Sequence, residues 1–157
     1  MIGNVLLPRL YPQSFAAKTS INKTRGILLN GPSGTGKSLI ARTVCDILNV
    51  TPKVLRGSEK FSFILGQAEQ NIQDLFEDGC QDQRNFGSNS KLHVIVFDEI
   101  DAVCKNRTQN NSVRDTVQDN DTAHFLGEID GMICRDSILL ISTTNFLEAI
   151  DPALLHP

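Results

Sequence analysis

Eight consecutive residues, Gly31-Pro32-Ser33-Gly34-Thr35-Gly36-Lys37-Ser38, fit the pattern Gly, four residues, Gly, Lys, Ser or Thr at every required position. Three glycines there let the backbone curl round a phosphate and turn several N–H groups inward. Lys37 would neutralise the β- and γ-phosphates of a nucleoside triphosphate, and the Ser38 hydroxyl would ligate Mg²⁺. With Leu39 these positions form the candidate nucleotide site. The competing reading is a glycine-rich turn that matches by chance, and the flanking elements described below argue against it.

A second cluster is Phe97-Asp98-Glu99-Ile100-Asp101, directly after an apolar run. Asp98 can hold Mg²⁺ directly or through water, and Glu99 can polarise the water that attacks the γ-phosphate. A base so placed is worth about 10² to 10⁴ in rate. Taken in isolation, the pair could instead cap a following helix. Asn145 stands after a later apolar run, where it is expected beside Glu99, orienting the same water through its amide. An asparagine there with no such neighbours would be a turn residue.

These groups need a scaffold, and the apolar pattern supplies one. Gly26-Ile27-Leu28-Leu29-Asn30 reads as a strand entering the glycine loop, and residues 37–49 read as the helix leaving it, whose N-terminus favours anions. Residues 52–57 read as a short second strand ended by glycine, and 68–80 as a helix with Ile72, Leu75 and Phe76 on one face. The polar stretch 79–91 reads as a solvated connection. Leu92-His93-Val94-Ile95-Val96-Phe97 has the unbroken apolar character of a strand buried on both faces, and 137–142 gives a fourth strand. Between these two strands, 105–112 reads as a loop and 113–129 as largely helical, and Pro152 opens a last helix. Strands alternating with helices predict a parallel, doubly wound α/β sheet, with ligands at the C-terminal strand ends.

Composition agrees with one globular domain: 157 residues, 40% hydrophobic and 21% charged. The net charge of −3 comes without a basic cluster, so no nucleic-acid partner is expected. No apolar run approaches membrane-spanning length, and Met1 to Pro8 lacks the basic start of a signal peptide. Cys45, Cys80, Cys104 and Cys134 have no metal or redox spacing and are expected to be reduced thiols in a cytosolic protein. The glycosylation-like triplets at Asn22, Asn49 and Asn106 read as chance matches in an Asn-rich chain.

Taken together, the glycine loop, the acidic pair and Asn145 resemble the AAA ATPases over residues 26–156. Arg25-Gly26-Ile27-Leu28-Leu29, residues 87–104, Val113-Arg114-Asp115-Thr116-Val117 and Glu128-Ile129-Asp130-Gly131 are similar to the first ATPase domain of the family's vesicle-fusing branch. The resemblance implies a P-loop NTPase (AAA+) three-layer sandwich with a parallel sheet. It implies ATP phosphates on Gly34, Thr35, Gly36 and Lys37, Mg²⁺ on Ser38 and Asp98, Glu99 as catalytic base and Asn145 as γ-phosphate sensor. It further implies a hexamer of like AAA subunits, working with SNAP adaptors to disassemble SNARE complexes in vesicle-mediated transport. Such a protein is cytoplasmic and reaches trafficking membranes only through its partners, without inserting in them.

The chain also departs from the family pattern. Phe63-Ile64-Leu65-Gly66 puts Ile64 where the family's pore loop has an aromatic, residues 119–121 look like a short insertion, and His156 stands where the family tends to have arginine. On this reading residues 1–25 are an irregular lead-in with a short helix near 13–18, and 26–157 are a partial large subdomain. The fifth strand, the arginines that reach a neighbour's site and the helical lid are then missing, which leaves the first strand as an open edge. Two other readings stay open: a different AAA protein unfoldase, and a nucleotide-binding fragment without independent turnover.

Overall fold

A computed structural model of the chain describes residues 24–57, 67–102 and 137–150, with the backbone alone at 67–72 and 88. Its elements are β1 (Gly26–Asn30), α1 (Lys37–Leu48), β2 (Lys53–Arg56), α2 (Gln67–Phe86), β3 (His93–Asp98) and β4 (Ile138–Thr144). Among the described residues, single 3₁₀ turns stand at Gly87–Asn89, Ile100–Ala102 and Leu147–Ala149. The predicted lead-in up to residue 23, the pore-loop residues 63–66, the loop and helix over 105–129, the helix at Pro152 and His156 lie outside the described residues.

The four strands form one parallel sheet in the order β1-β4-β3-β2. Parallel strands need crossovers, and the apolar faces of those crossovers must be buried on the sheet. Because side chains alternate along a strand, the sheet presents two apolar faces. Val94, Val96, Leu139 and Ile141 pack with Ala41, Val44 and Cys45 of α1 on one side. Ile95, Phe97, Ile138 and Leu140 pack with Phe76 and Cys80 of α2 on the other. The result is the predicted α/β sandwich of three layers, with β4 buried along its whole length. Among the described residues β1 pairs only with β4, so it stands at one edge of the sheet.

One expectation fails. The solvated connection predicted from residue 79 is helix as far as Phe86, and only Gly87–Asn89 turns away. Gln81, Arg84 and Asn85 are exposed, so the polar composition that suggested a loop is the wet face of α2. Gln81 donates to Glu77 one turn earlier at 3.0 Å, and Asp82 contacts His93 of β3 at 2.8 Å. Lys53 anchors the same helix from β2. Its ammonium donates to the Asp74 and Leu75 carbonyls at 3.1 and 3.2 Å and pairs with Asp78 at 2.7 Å. That hydrogen bond and charge hold the Asp78 carboxyl below the usual carboxylate range.

Gly79 shows how closely α2 lies on the sheet. A Cβ there would stand 2.9 Å from Ile138 Cγ1, and both positions are buried. Gly79→Ala should therefore destabilise the fold by about 1–3 kcal/mol through overpacking, although alanine is the better helix former. A lower urea midpoint with an unchanged slope is the expected reading, and a midpoint that stays or rises would refute this close approach.

Cys45 and Cys80 are buried, and Cys45 is a free thiol. Burial first, and the Asp46 charge second, push the Cys45 thiol above its ordinary pKa, so it packs as a small apolar group rather than a nucleophile. Among the described residues no helix is long and apolar enough to cross a membrane.

Candidate active site

The loop between β1 and α1 lies at the C-terminal edge of the sheet, beside the ends of β4 and β3. Its first residue continues the β1–β4 pairing, with the Gly31 N–H donating to the Thr144 carbonyl at 3.3 Å. Gly34 and Gly36 then take φ of 80° and 85°, a left-handed backbone that other residues adopt only with strain. Thr35 closes the loop on itself, its hydroxyl donating to the Pro32 carbonyl at 2.8 Å. Gly36 gives α1 its first carbonyl acceptor, for Ile40 N–H at 2.9 Å. No side chain caps α1 and no acid stands in its first turn, so the positive end of the helix is not offset from within.

Lys37 folds back over this loop. Its ammonium donates to the Gly31 carbonyl at 2.6 Å, the Pro32 carbonyl at 2.8 Å and Asn145 Oδ1 at 2.7 Å, which uses all three of its protons. Asn145, expected beside Glu99, has its amide oxygen on Lys37. The strand order allows this contact: β4 lies between β1 and β3, so a residue just past its end has both neighbours in reach. Pro32 and Ser33 are exposed, and Leu39 is 68% exposed on the first turn of α1. Of the positions assigned to the nucleotide, Pro32, Ser33, Gly34, Thr35, Ser38 and Leu39 are exposed, and Gly31, Gly36 and Lys37 are half-buried.

The acidic pair completes the edge. Asp98, the last residue of β3, accepts the Ser38 hydroxyl at 3.1 Å on Oδ1 and 3.2 Å on Oδ2. Glu99 follows in a left-handed conformation, φ 59°, with an exposed side chain. Its N–H donates to Thr143 Oγ1 at 3.1 Å, and its carbonyl accepts the Ala102 N–H at 3.0 Å. Asp101 turns the other way: its Oδ1 accepts the Thr144 hydroxyl at 2.8 Å and the Asn145 N–H at 3.2 Å.

Thr143, Thr144 and Asp101 escape the sequence reading as site residues. Asp101 lies inside the acidic segment and the two threonines lie between the predicted fourth strand and Asn145, but their pairing depends on the register that sets Phe97 beside Ser142. Apolar periodicity does not encode that register.

The donor set suits Mg²⁺. One hydroxyl and one carboxylate are hard oxygen ligands, and this ion usually takes one or two carboxylates, substrate phosphates and retained waters. Among the described residues no cluster of three or more His, Cys, Asp or Glu offers a closed metal cage.

Comparison with known proteins gives the family. The profile of the ATPase family associated with various cellular activities (AAA) matches residues 27–156. The chain is 44% identical over 152 residues to a vesicle-fusing ATPase of Arabidopsis thaliana, an alignment of 95% of the chain and 20% of that protein. It is also 44% identical to the vesicular-fusion protein sec18 of Schizosaccharomyces pombe, over 95% of the chain and 19% of that protein. Protein CdcH of Halobacterium salinarum is 33% identical over 98% of the chain and 19% of its own length. The chain thus spans about a fifth of the length of these relatives.

Proposed function

We propose, from the premise that this chain belongs to the ATPase family associated with various cellular activities (AAA), that residues 26–157 belong to a module that binds and hydrolyses ATP. The observation that carries the reading is the meeting, at one sheet edge, of Lys37 in its glycine loop with Asn145, and of Ser38 with Asp98. The loop N–H groups and the Lys37 ammonium bind the phosphates. Ser38 and Asp98 hold Mg²⁺, which supplies charge neutralisation on the phosphate oxygens. Glu99 takes the proton of the attacking water as its oxygen bonds to the γ-phosphorus and the bond to ADP breaks. Asn145, already on Lys37, is the group that senses the γ-phosphate. Leu39 offers an exposed apolar surface at the mouth of the loop.

The relatives named for vesicle fusion support a narrower reading. On that reading, supported by the names vesicle-fusing ATPase and vesicular-fusion protein, we infer that the chain serves vesicle-mediated transport in the cytoplasm, in a hexamer of like subunits that works with SNAP adaptors to take SNARE complexes apart.

Thermal unfolding with and without Mg-ATP tests the first claim. A ligand at 100 times its Kd stabilises the folded state by about 2.7 kcal/mol, a rise of several degrees in a domain of this size. Lys37→Ala should melt cooperatively and lose that rise. An unmodified chain that melts cooperatively with no shift, or a Lys37→Ala chain that keeps it, would refute the assignment.

A further inference from the structure

Thr143 and Thr144 end β4 on opposite faces of the sheet, and each holds an acid of the turn that follows β3. Thr143 is 1% exposed. Its hydroxyl donates to Asp98 Oδ1 at 2.6 Å and accepts the Glu99 N–H at 3.1 Å. We propose that Thr143 is a positioning residue for ATP hydrolysis, fixing with one hydroxyl both the carboxylate that holds Mg²⁺ and the backbone of the base that follows it. The inference rests on the ATP-hydrolysing reading above and extends it to a residue that touches neither nucleotide nor metal.

A buried threonine can satisfy its hydroxyl on nearby backbone. Here the donor goes to a side-chain carboxylate on the neighbouring strand, across the β3–β4 pairing. A hydroxyl has one proton and two lone pairs, so committing the proton to Oδ1 fixes its direction. The Asp98 carboxylate is then held from the sheet side at Oδ1, while the Ser38 hydroxyl meets both oxygens from α1. Rotation about the Asp98 side chain would break the 2.6 Å bond. Thr143 Oγ1 also accepts from the N–H of Glu99, whose left-handed φ of 59° sends its side chain to solvent at the strand end. One atom thereby sets the spacing between metal ligand and base. Thr144 and Asp101 do the equivalent for Asn145, through its N–H.

Valine keeps the shape of Thr143 and removes the hydroxyl, whereas serine keeps the hydroxyl and removes the methyl. The readout is binding of a fluorescent ATP analogue to the full chain in EDTA and across a Mg²⁺ titration, with steady-state hydrolysis measured beside it. Thr143→Val should raise the Mg²⁺ concentration that half-saturates the response by roughly 10–100-fold, the usual cost of losing a hydrogen bond to a metal ligand, with metal-free affinity unchanged within about twofold. Thr143→Ser should restore the response. Amide exchange at Glu99 should speed up in the valine chain and not in the serine chain.

An unchanged Mg²⁺ response in Thr143→Val would overturn the assignment, as would equal losses in the valine and serine chains, which would mean that Thr143 only fills space. Thr143→Ala guards against a folding artefact. If neither valine nor alanine gives a cooperative melt while serine does, the hydroxyl serves the fold and the assignment fails. An unmodified chain that binds no nucleotide overturns the ATP-binding reading itself and this inference with it.

Discussion

Glu99→Gln is expected to leave Mg-ATP binding within about twofold and to lower turnover by about 10² to 10⁴, the usual worth of a positioned base. The substitution is close to isosteric, so it removes a proton acceptor and leaves the turn in place. That turn is well determined. The Glu99 N–H is taken by Thr143, its carbonyl by Ala102, and its left-handed backbone leaves the side chain exposed beyond the end of β3. A non-glycine residue in this region costs of order 1–3 kcal/mol and persists only where its surroundings over-determine it. The surroundings here are the groups that hold Asp98 and Asn145. Phosphate release at saturating Mg-ATP gives the rate, and equilibrium binding of a fluorescent analogue gives the affinity. Both belong on the chain alone and on the chain concentrated enough to assemble with its own copies. Turnover by Glu99→Gln at the unmodified rate would remove Glu99 from the mechanism.

Phe76→Ala is expected to destabilise the fold by about 3–5 kcal/mol, the range for deleting a fully buried aromatic side chain. Phe76 is 0% exposed and belongs to the cluster that joins α2 to Leu55 of β2, Ile95 and Phe97 of β3, and Ile138 and Leu140 of β4. Removing its ring leaves a cavity against most of the sheet, and the close seating of Gly79 on Ile138 limits how far α2 can settle to fill it. Domains are stable by only about 5–15 kcal/mol, so this one change takes a large share of the total. At about 2–4 °C per kcal/mol, the melting temperature should fall by roughly 6–20 °C. Phe86, 60% exposed near the end of the same helix, is the control: Phe86→Ala should stay within about 0.5 kcal/mol of the unmodified chain. Equal effects from the two substitutions would contradict the packing of α2.

The two positions also show which features were legible in sequence. The glycine loop, its flanking strand and helix, and the acidic pair after an apolar run are local patterns, and the structure places each within a residue or two of its expected place. The last six residues of α2 are read as a connection because Gln81, Asp82, Gln83, Arg84 and Asn85 carry no apolar signal. A helix with one face in solvent needs none there, and its remaining marks, Gly79 and Cys80, contact the sheet rather than each other. The site shows the same division. That Ser38 and Asp98 come together follows from the motif and the strand-end rule. That Asn145 reaches Lys37, and that two adjacent threonines hold two different acids, follows from strand order and register, which are properties of pairing and not of any one segment.

The seat of the Lys37 ammonium bears on anion selectivity. With the Gly31 and Pro32 carbonyls and Asn145 Oδ1 already around it, the charge is solvated by the protein itself. A small anion such as sulfate that touched only this group would exchange one good hydrogen bond for another and gain little. A polyphosphate that also engages the backbone N–H groups of the loop and the start of α1 adds contacts beyond those of the lysine. On the proposed ATP-binding reading, discrimination between inorganic anions and a nucleotide therefore rests on the hydrogen bonds that surround this lysine.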